Sequence, residues 1–388
     1  MDYYRWLHHM NSLLKQKKAS SARQIVQFKS KKEYQKCLHR LKQLKRSLSH
    51  LQHIHPLAFI HSFMFPLQLP DVFDALPSIR SIEPDRKAKV HAFPSSVEVI
   101  SEKPFIPWGI HQIRAPKAWR KSMGEGVHVA VIDTGINYNH PDLRHSISSG
   151  INVLRRFHLP IDDNGHGTHI AGTIAASSRG SGMLGAAPQA IIHPVKAFDM
   201  NGSAYISDII LGLDWCVRHR IQVINMSFGM KEKSSALMAA IQRAVDAGCI
   251  VLASSGNDGK RGEIDYPARF AETISVGATN TDRKIAKFSN RSADVDIYAP
   301  GEQILSTWTR HHYNELSGTS MATSHVTGVI ALMLAVKPGL TLKQLKWKLR
   351  KHASPLKTIA RTKQKTAGEV HALRAVDSLL LRKKSKRK

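Results

Sequence analysis

A short apolar run that ends in a carboxylate occupies residues 127–135, which read VHVAVIDTG. Its β-branched, mostly apolar residues predict a buried strand of a parallel sheet. Further strand-like runs follow at residues 191–197, 222–226, 250–253 and 273–276, and they alternate with helical stretches at residues 169–176, 206–217, 235–247 and 321–336. Repeated β–α units predict an α/β fold, namely a doubly wound, mostly parallel sheet with helices on both faces.

The segment before this sheet has a different pattern. It combines strand-like residues 25–28 and 81–83, a basic helix at 31–46, two apolar runs within 50–68 and a short helix at 69–76. This order predicts a small α+β unit of ferredoxin-like type. We therefore divide the chain into a basic extension (1–23), the small domain (24–92), a Pro/Ser-rich linker (93–103), the main domain (104–379) and a basic tail (380–388).

Charge is distributed unevenly along the 388 residues, whose net charge is +28. Residues 1–103 carry +10 (18 Lys/Arg, 8 Asp/Glu), residues 104–336 carry +3 (22 against 19), and residues 337–388 carry +15 (17 against 2). The middle is an ordinary globular segment, while the basic tail is expected to contact anionic polymers or surfaces.

Composition excludes several classes of protein. A hydrophobic content of 42% argues against a disordered chain, and three cysteines argue against a disulfide framework. We expect no transmembrane segment, because the chain has no unbroken run of about 18 apolar residues. The first 23 residues show no signal-peptide pattern, which favours a cytoplasmic protein; secretion would need an upstream start or a non-standard route.

Three short motifs lie where a predicted strand meets a helix. They centre on Asp133 in Asp-Thr-Gly, His166 in His-Gly-Thr-His, and Ser320 in Gly-Thr-Ser-Met-Ala. Catalytic groups of open parallel sheets lie at the carboxyl ends of strands. A serine there can act as nucleophile, a histidine as its base, and an aspartate can orient the imidazole. Asn257, in Ser-Gly-Asn, can donate its amide to the developing oxyanion.

Each of these residues has a plainer interpretation when it is taken alone. Asp133 suits a helix cap or turn, Ser320 an N-cap, and Asn257 a turn. His166 and His169 could form part of a metal site, although no third ligand of matching spacing accompanies them. The four motifs together, in this order, favour catalysis over these alternatives.

Together these motifs resemble those of subtilisin-type serine proteases, the subtilase family. Longer stretches agree as well, at residues 139–143, 185–188 and 223–227, and the resemblance covers about residues 107–379. It implies a serine endopeptidase that acts on proteins through an acyl-enzyme intermediate. Residues 24–92 resemble the inhibitory propeptide of that family, which implies a zymogen processed within 93–103. We expect a monomer whose partners are protein or peptide substrates and its own prodomain.

The resemblance also implies the positions that contact substrate. Backbone at Ser227, Phe228 and Gly229 would line the pocket for P1, the residue on the amino side of the cleaved bond. Gly202, Ser203 and Ala204 would pair with an extended substrate strand.

Two acidic residues bear on P1 specificity. Asp265 precedes Tyr-Pro at the expected base of the P1 pocket, and Asp258 lies near its rim. A carboxylate in such a pocket favours Lys or Arg at P1, because a desolvated charge needs a partner. The alternative is that Asp265 points into solvent.

This sequence departs from the family pattern at two places. Ser324 stands where a proline is common, and we expect the helix to form regardless. Asp142 matches a family calcium ligand, but Arg179 stands where an oxygen ligand is usual. Calcium needs six to eight oxygens and a guanidinium supplies none, so we expect no strong calcium site and no required cofactor.

Two other functions compete with the endopeptidase. A non-catalytic subtilase-like scaffold would bind peptides, but it is expected to lack a triad member, and none is missing. The net charge of +28 suggests a nucleic-acid-binding protein, yet the chain has no zinc-finger, RNP or recognition-helix motif.

Overall fold

The computed structural model describes residues 2–16, 22–69, 76–99, 104–178, 180, 182–357 and 367–380. Within these ranges the α-helices are α1 (Tyr3–Gln16), α2 (Lys31–Leu44), α3 (Trp108–Gln112), α4 (Ala115–Ala118), α5 (His166–Ala175), α6 (Ile206–Arg218), α7 (Ser235–Asp246), α8 (Thr319–Val336), α9 (Leu342–His352) and α10 (Ala372–Leu380). The strands of the first half of the chain are β1 (Gln24–Phe28), β2 (His55–Leu57), β3 (Ser62–Phe65), β4 (Ile79–Pro84), β5 (Lys87–Val90), β6 (Phe93–Val99), β7 (Pro104–Phe105), β8 (His128–Asp133), β9 (Ile151–Asn152), β10 (Gly182–Met183), β11 (Ile191–Lys196) and β12 (Ser203–Tyr205). The remaining strands are β13 (Val223–Met226), β14 (Phe228–Gly229), β15 (Ile250–Ser254), β16 (Ile274–Thr279), β17 (Ile297–Pro300), β18 (Ile304–Thr307) and β19 (Tyr313–Ser317).

Seven parallel strands form the central sheet, in the order β17-β16-β15-β13-β8-β11-β9. Alternate residues of β8 point to opposite faces, as the pleat requires. Val129 and Val131 join the core that contains α5 and α8, whereas Ala130 and Ile132 join the core that contains α6 and α7. The predicted doubly wound α/β architecture is confirmed, and β8 and β13 deliver their carboxyl ends near the middle of the sheet.

The N-terminal unit is a four-stranded antiparallel sheet in the order β2-β3-β1-β4. Both α1 and α2 belong to its apolar core, to which α1 contributes Trp6, Leu7 and Met10, all buried. Helix α1, which lies within the predicted extension 1–23, packs into the core of the small domain through its amphipathic face. Most of the short helix predicted at 69–76 lies outside the described residues.

The segment predicted as a linker, 93–103, is extended over its first part. Residues 93–99 form β6, which pairs antiparallel with β19 next to the start of α8. Just before it, β5 forms the middle strand of a three-stranded antiparallel sheet, β12-β5-β14. The chain thus runs continuously from the small domain across the carboxyl ends of the central strands.

Helix α8 crosses the interior of the main domain. Its length and composition are those of a membrane span, but 89% of its 18-residue apolar window is buried inside the protein. The chain continues through the basic helix α9 to α10, which packs against α8 and α4. Residues 381–388 of the predicted basic tail (380–388) lie outside the described residues.

Candidate active site

Asp133 is the last residue of β8 and is fully buried. Its Oδ1 accepts a hydrogen bond of 2.8 Å from the backbone N–H of Thr134. The same oxygen lies 2.7 Å from Nδ1 of His166, so the carboxylate fixes the position of the imidazole. An acceptor at this distance selects the tautomer that carries a proton on Nδ1.

His166 is the first residue of α5, and its exposed fraction is 2%. The preceding Gly165 has φ of 112°, a conformation that favours glycine, and it turns the chain sharply into the helix. Asp162 holds this turn, because its carboxylate accepts from the backbone N–H of Gly165 at 2.9 Å and of Thr168 at 2.9 Å. Nε2 of His166 has no hydrogen-bond partner among the described residues, so it is the nitrogen left to exchange a proton.

Ser320 is the second residue of α8, directly after Thr319. Its Oγ donates a hydrogen bond of 2.7 Å to the backbone carbonyl of Ser227. At the first turn of an 18-residue helix, free backbone N–H groups and the helix dipole favour a developing negative charge.

Asn257 follows β15 and faces the same helix start. Its Oδ1 accepts from the backbone N–H of Thr319 at 3.0 Å and from the hydroxyl of Thr319 at 2.8 Å. Because Thr319 holds the oxygen, the Nδ2 amide is the end of Asn257 that can donate to a substrate.

The predicted substrate-binding segments do flank an extended strand, and that strand is the chain's own β5. Ser203 pairs with Lys89 on one side, and Phe228 pairs with Val90 on the other. The carbonyl of Gly202 accepts from the N–H of Val90 at 3.1 Å.

Asp265 lies beside Gly229, inside a cleft of about 610 Å³ that Asn257 and Asp258 also line. Only 4% of Asp265 is exposed, so the interpretation in which it points into solvent is wrong. Lys231 donates to both of its oxygens, at 2.9 and 3.0 Å, and also to the more exposed Asp258.

Lys231 contributes to the electrostatics of this pocket. Burial lowers the pKa of Lys231, but its hydrogen bonds to Asp258 and Asp265 outweigh burial and leave that pKa raised. The hydrogen bond from Lys231 holds the pKa of Asp258 below its usual value. The pocket therefore contains a charge-paired carboxylate, whereas the sequence alone predicted an unpaired one.

A metal pair at His166 and His169 does not fit the contacts. Nε2 of His169 lies 2.9 Å from the carbonyl of Ile304 and 3.1 Å from that of Asn314, so it acts as a donor. Burial lowers the pKa of His169 to about 3, which keeps the ring neutral. In the part of the chain that the structure describes, no three His, Cys, Asp or Glu side chains are grouped to hold a metal ion.

The possible calcium ligand Asp142 is engaged in protein contacts. Its Oδ2 accepts from the hydroxyl of Tyr313 at 2.6 Å and from the backbone N–H of Met183 at 2.9 Å. Its Oδ1 is packed against Gly182, where an added Cβ would lie 2.2 Å away. Two protein donors therefore occupy Oδ2 of this carboxylate. Arg179 lies outside the described residues.

Three residues of the site were missed by sequence reasoning. Asp162 precedes a helix start, and that capping signal could have identified it. Lys231 lies in the loop after β14, and Ser254 ends β15, where its Oγ lies 2.8 Å from Nδ1 of His91. Both contacts depend on the fold, so no local pattern marks these residues. Ser324, in place of the usual proline, does not interrupt α8 and donates to the carbonyl of Met321 at 2.7 Å.

The main domain is similar in sequence to known proteins. The sequence model of the subtilase family matches residues 124–375. A thermostable alkaline protease of Halalkalibacterium halodurans is 40% identical over 252 residues, which are 65% of this chain and 69% of that protein. Subtilisin Savinase of Lederbergia lenta is 42% identical over 252 residues (65% and 92%), and subtilisin E of Bacillus subtilis is 40% identical over 285 residues (72% and 71%).

Proposed function

Since this chain belongs to the subtilase family, we propose that it hydrolyses peptide bonds through a triad of Asp133, His166 and Ser320. It is a serine endopeptidase of the subtilisin type, and its substrates are proteins. The observation that carries the assignment is the 2.7 Å hydrogen bond between Asp133 and His166, beside the helix that begins at Thr319-Ser320.

The proposed reaction begins when the hydroxyl of Ser320 turns from the carbonyl of Ser227 toward Nε2 of His166, which has no hydrogen-bond partner in the described part of the chain. Oγ of Ser320 attacks the substrate carbonyl carbon while Nε2 of His166 takes the hydroxyl proton. Asp133 stabilises the resulting imidazolium, and Nδ2 of Asn257 donates to the oxyanion. His166 then protonates the leaving amine as the C–N bond breaks. Water then attacks the acyl carbon while His166 takes its proton. His166 returns that proton to Oγ of Ser320 as the ester bond breaks, which restores the free serine.

We propose that the N-terminal unit makes the chain a zymogen. The strand β5 lies between β12 and β14, where an extended substrate would pair, so substrate and prodomain exclude each other. Two carboxylates of the N-terminal unit, Glu83 and Asp85, accept hydrogen bonds from the first residues of α7 and α6. These contacts hold the unit on the main domain.

We also propose that the basic P1 preference expected from the sequence takes the form of a preference for a side chain that donates a hydrogen bond to Asp265, since Lys231 already supplies a cation to this carboxylate. Asp265 is buried beside Gly229, and a basic side chain of this chain itself, His91, lies against it with Nε2 3.1 Å from Oδ2. A carboxylate held at this depth stabilises a hydrogen-bond donor at P1.

We further propose that catalysis needs no cofactor and that no calcium ion is bound through Asp142, since its Oδ2 already accepts two hydrogen bonds from the protein. The basic tail, in which six of the last eight residues are Lys or Arg, is proposed to contact anionic polymers.

The test of the triad is Ser320→Ala, which removes the nucleophile without disturbing the helix. We expect peptidase activity and labelling by a serine-directed fluorophosphonate to fall to background, while circular dichroism is unchanged. Ser324→Ala, four residues along the same buried helix, is the matched control and should keep both activity and labelling. Near wild-type turnover in Ser320→Ala would refute the triad, and an inert wild-type chain would favour the non-catalytic scaffold.

A further inference from the structure

Residues 90–92 of the chain itself lie in the substrate cleft with a defined register. The N–H of Val90 donates to the carbonyl of Gly202 at 3.1 Å, and the N–H of His91 donates to the carbonyl of Ser227 at 3.3 Å. A Cβ at Gly318 would lie 2.1 Å from the carbonyl oxygen of His91 and 3.1 Å from Cα of Ala92. The peptide bond between His91 and Ala92 is therefore the one beside the helix start that carries Ser320.

The side chain of His91 enters the P1 pocket. Only 11% of it is exposed, and its ring lies against Gly229, where a Cβ would be 2.2 Å from Cε1. The absence of a side chain at Gly229 thus creates a slot the width of a flat ring.

Both ring nitrogens of His91 have polar partners in this slot. Nδ1 lies 2.8 Å from Oγ of Ser254, and Nε2 lies 3.1 Å from Oδ2 of Asp265. Ser254 is fully buried and Asp265 is 4% exposed. A phenyl ring would fill the same slot but make neither of these two contacts, and it would leave Asp265 with Lys231 and Ser254 with the carbonyl of Phe228 at 3.4 Å. Pockets built to hydrogen-bond a substrate discriminate against analogues that lack the matching group.

A longer cation fits this pocket less well. Lys231 donates to both oxygens of Asp265, at 2.9 and 3.0 Å. An incoming Lys or Arg side chain would meet Lys231 over the same carboxylate, and like charges at such separations repel. An imidazole can use Asp265 as an acceptor without bringing a permanent charge.

We infer that the P1 pocket of this protease selects histidine through Ser254 and Asp265, and that its first substrate is its own His91–Ala92 bond. This inference rests on the proposed triad. Ser320 would form an ester with the carbonyl carbon of His91, and the bond to the nitrogen of Ala92 would break as His166 protonates that amine. Hydrolysis of the ester would leave a carboxylate on His91 and a new N-terminus at Ala92, upstream of the 93–103 region predicted from sequence.

The first test uses the full chain and N-terminal sequencing of its products. We expect wild-type protein to yield a mature chain that begins at Ala92, and Ser320→Ala to remain uncleaved. His91→Phe, which keeps a ring but loses both nitrogens, should be processed at least about tenfold more slowly. A mature N-terminus elsewhere, or equal rates for His91→Phe and wild type, would overturn the inference.

The second test uses peptides that copy the bound strand, Ala-Lys-Val-X followed by a chromogenic amide, with X as His, Phe, Gln, Lys or Arg. We expect kcat/KM for His to exceed that for Phe, Lys and Arg by about tenfold or more. Asp265→Asn and Ser254→Ala should each shrink the His to Phe ratio, whereas the exposed neighbour variant Glu263→Gln should leave it unchanged.

The outcomes separate this inference from the proposed function. Equal rates for all five peptides, or a ratio that survives both pocket variants, would overturn the histidine pocket alone. If no peptide is cleaved and fluorophosphonate does not label Ser320, the proposed triad fails first.

Discussion

At the scale of single residues, the cleft combines groups that react with groups that hold them. Asn257 illustrates the division, because Thr319 binds its Oδ1 and leaves only Nδ2 for the oxyanion. We expect Asn257→Ala to lower kcat by about 10²–10³ with KM nearly unchanged, since negative charge on the oxygen develops only in the transition state. That magnitude is the loss known for removal of such a donor from a subtilisin.

Steady-state kinetics on one peptide substrate measures this effect. Asn139→Ala, on an exposed loop of the same domain, is the control and should retain wild-type kcat. A rise in KM with an unaltered kcat would instead show that Asn257 binds the ground state, and would contradict its assignment to the oxyanion.

Residues that belong to a local motif could be predicted, and residues that meet only in the fold could not. Asp133, His166 and Ser320 each stand at a strand–helix junction, where the chemistry and the local pattern coincide. His91 and Ser254, by contrast, are 163 positions apart in the sequence and meet through an imidazole–hydroxyl contact. Lys231 changed the electrostatics expected at Asp265 for the same reason, because its proximity is a tertiary fact.

At the scale of elements, the buried parallel strands and the long helices were predictable because their apolar runs are continuous. The strand β5, with sequence KAKV, carries no such signal. It is extended because β12 and β14 supply hydrogen bonds on both of its sides. The short amphipathic helices α9 and α10 were likewise missed, since they lie in a strongly cationic stretch whose charges obscure the apolar positions.

Two helix N-termini of the main domain receive carboxylates from the N-terminal unit. Glu83 accepts from the hydroxyl of Ser234 at 2.5 Å and from the N–H of Ser235 at 2.9 Å, at the start of α7. Asp85 accepts from the N–H of Ser207 at 2.9 Å, at the start of α6. Such caps contribute about 1 kcal/mol each, through hydrogen bonds and the helix dipole.

Removing these caps should weaken inhibition by the N-terminal unit. We expect a separately produced fragment 1–91 to inhibit the mature enzyme, and Glu83→Ala or Asp85→Ala in that fragment to raise the inhibition constant about fivefold or more. Asp2→Ala, a carboxylate of the same unit that is largely exposed, is the matched control. The capping role fails if all four fragments inhibit equally, and the zymogen proposal fails if wild-type fragment at micromolar concentration does not inhibit.

At the scale of the whole molecule, two histidines couple the core of the main domain to pH. His169 and His325 are fully buried and pack among the helices α5 and α8. Burial lowers the pKa of His169 to about 3 and that of His325 to about 4, from 6.5. In the unfolded chain both rings bind protons below about pH 6.5, whereas the folded chain keeps them neutral, so the unfolded state gains protons as the pH falls.

The contribution of these two histidines to the free energy of unfolding should therefore be fully present above pH 6.5, and it should be lost as the pH falls toward 4. Each histidine contributes a loss of about 1.4 kcal/mol per pH unit in that range, or about 2 kcal/mol between pH 6.5 and 4.5. Denaturant unfolding of Ser320→Ala, which prevents self-digestion, measures this slope. His325→Gln retains a side-chain amide that can donate to the carbonyl of Met321 and should flatten the slope, because it removes one titrating group, whereas the exposed His145→Gln should not. A slope that is the same in His325→Gln and its parent would show that His325 does not couple folding to pH.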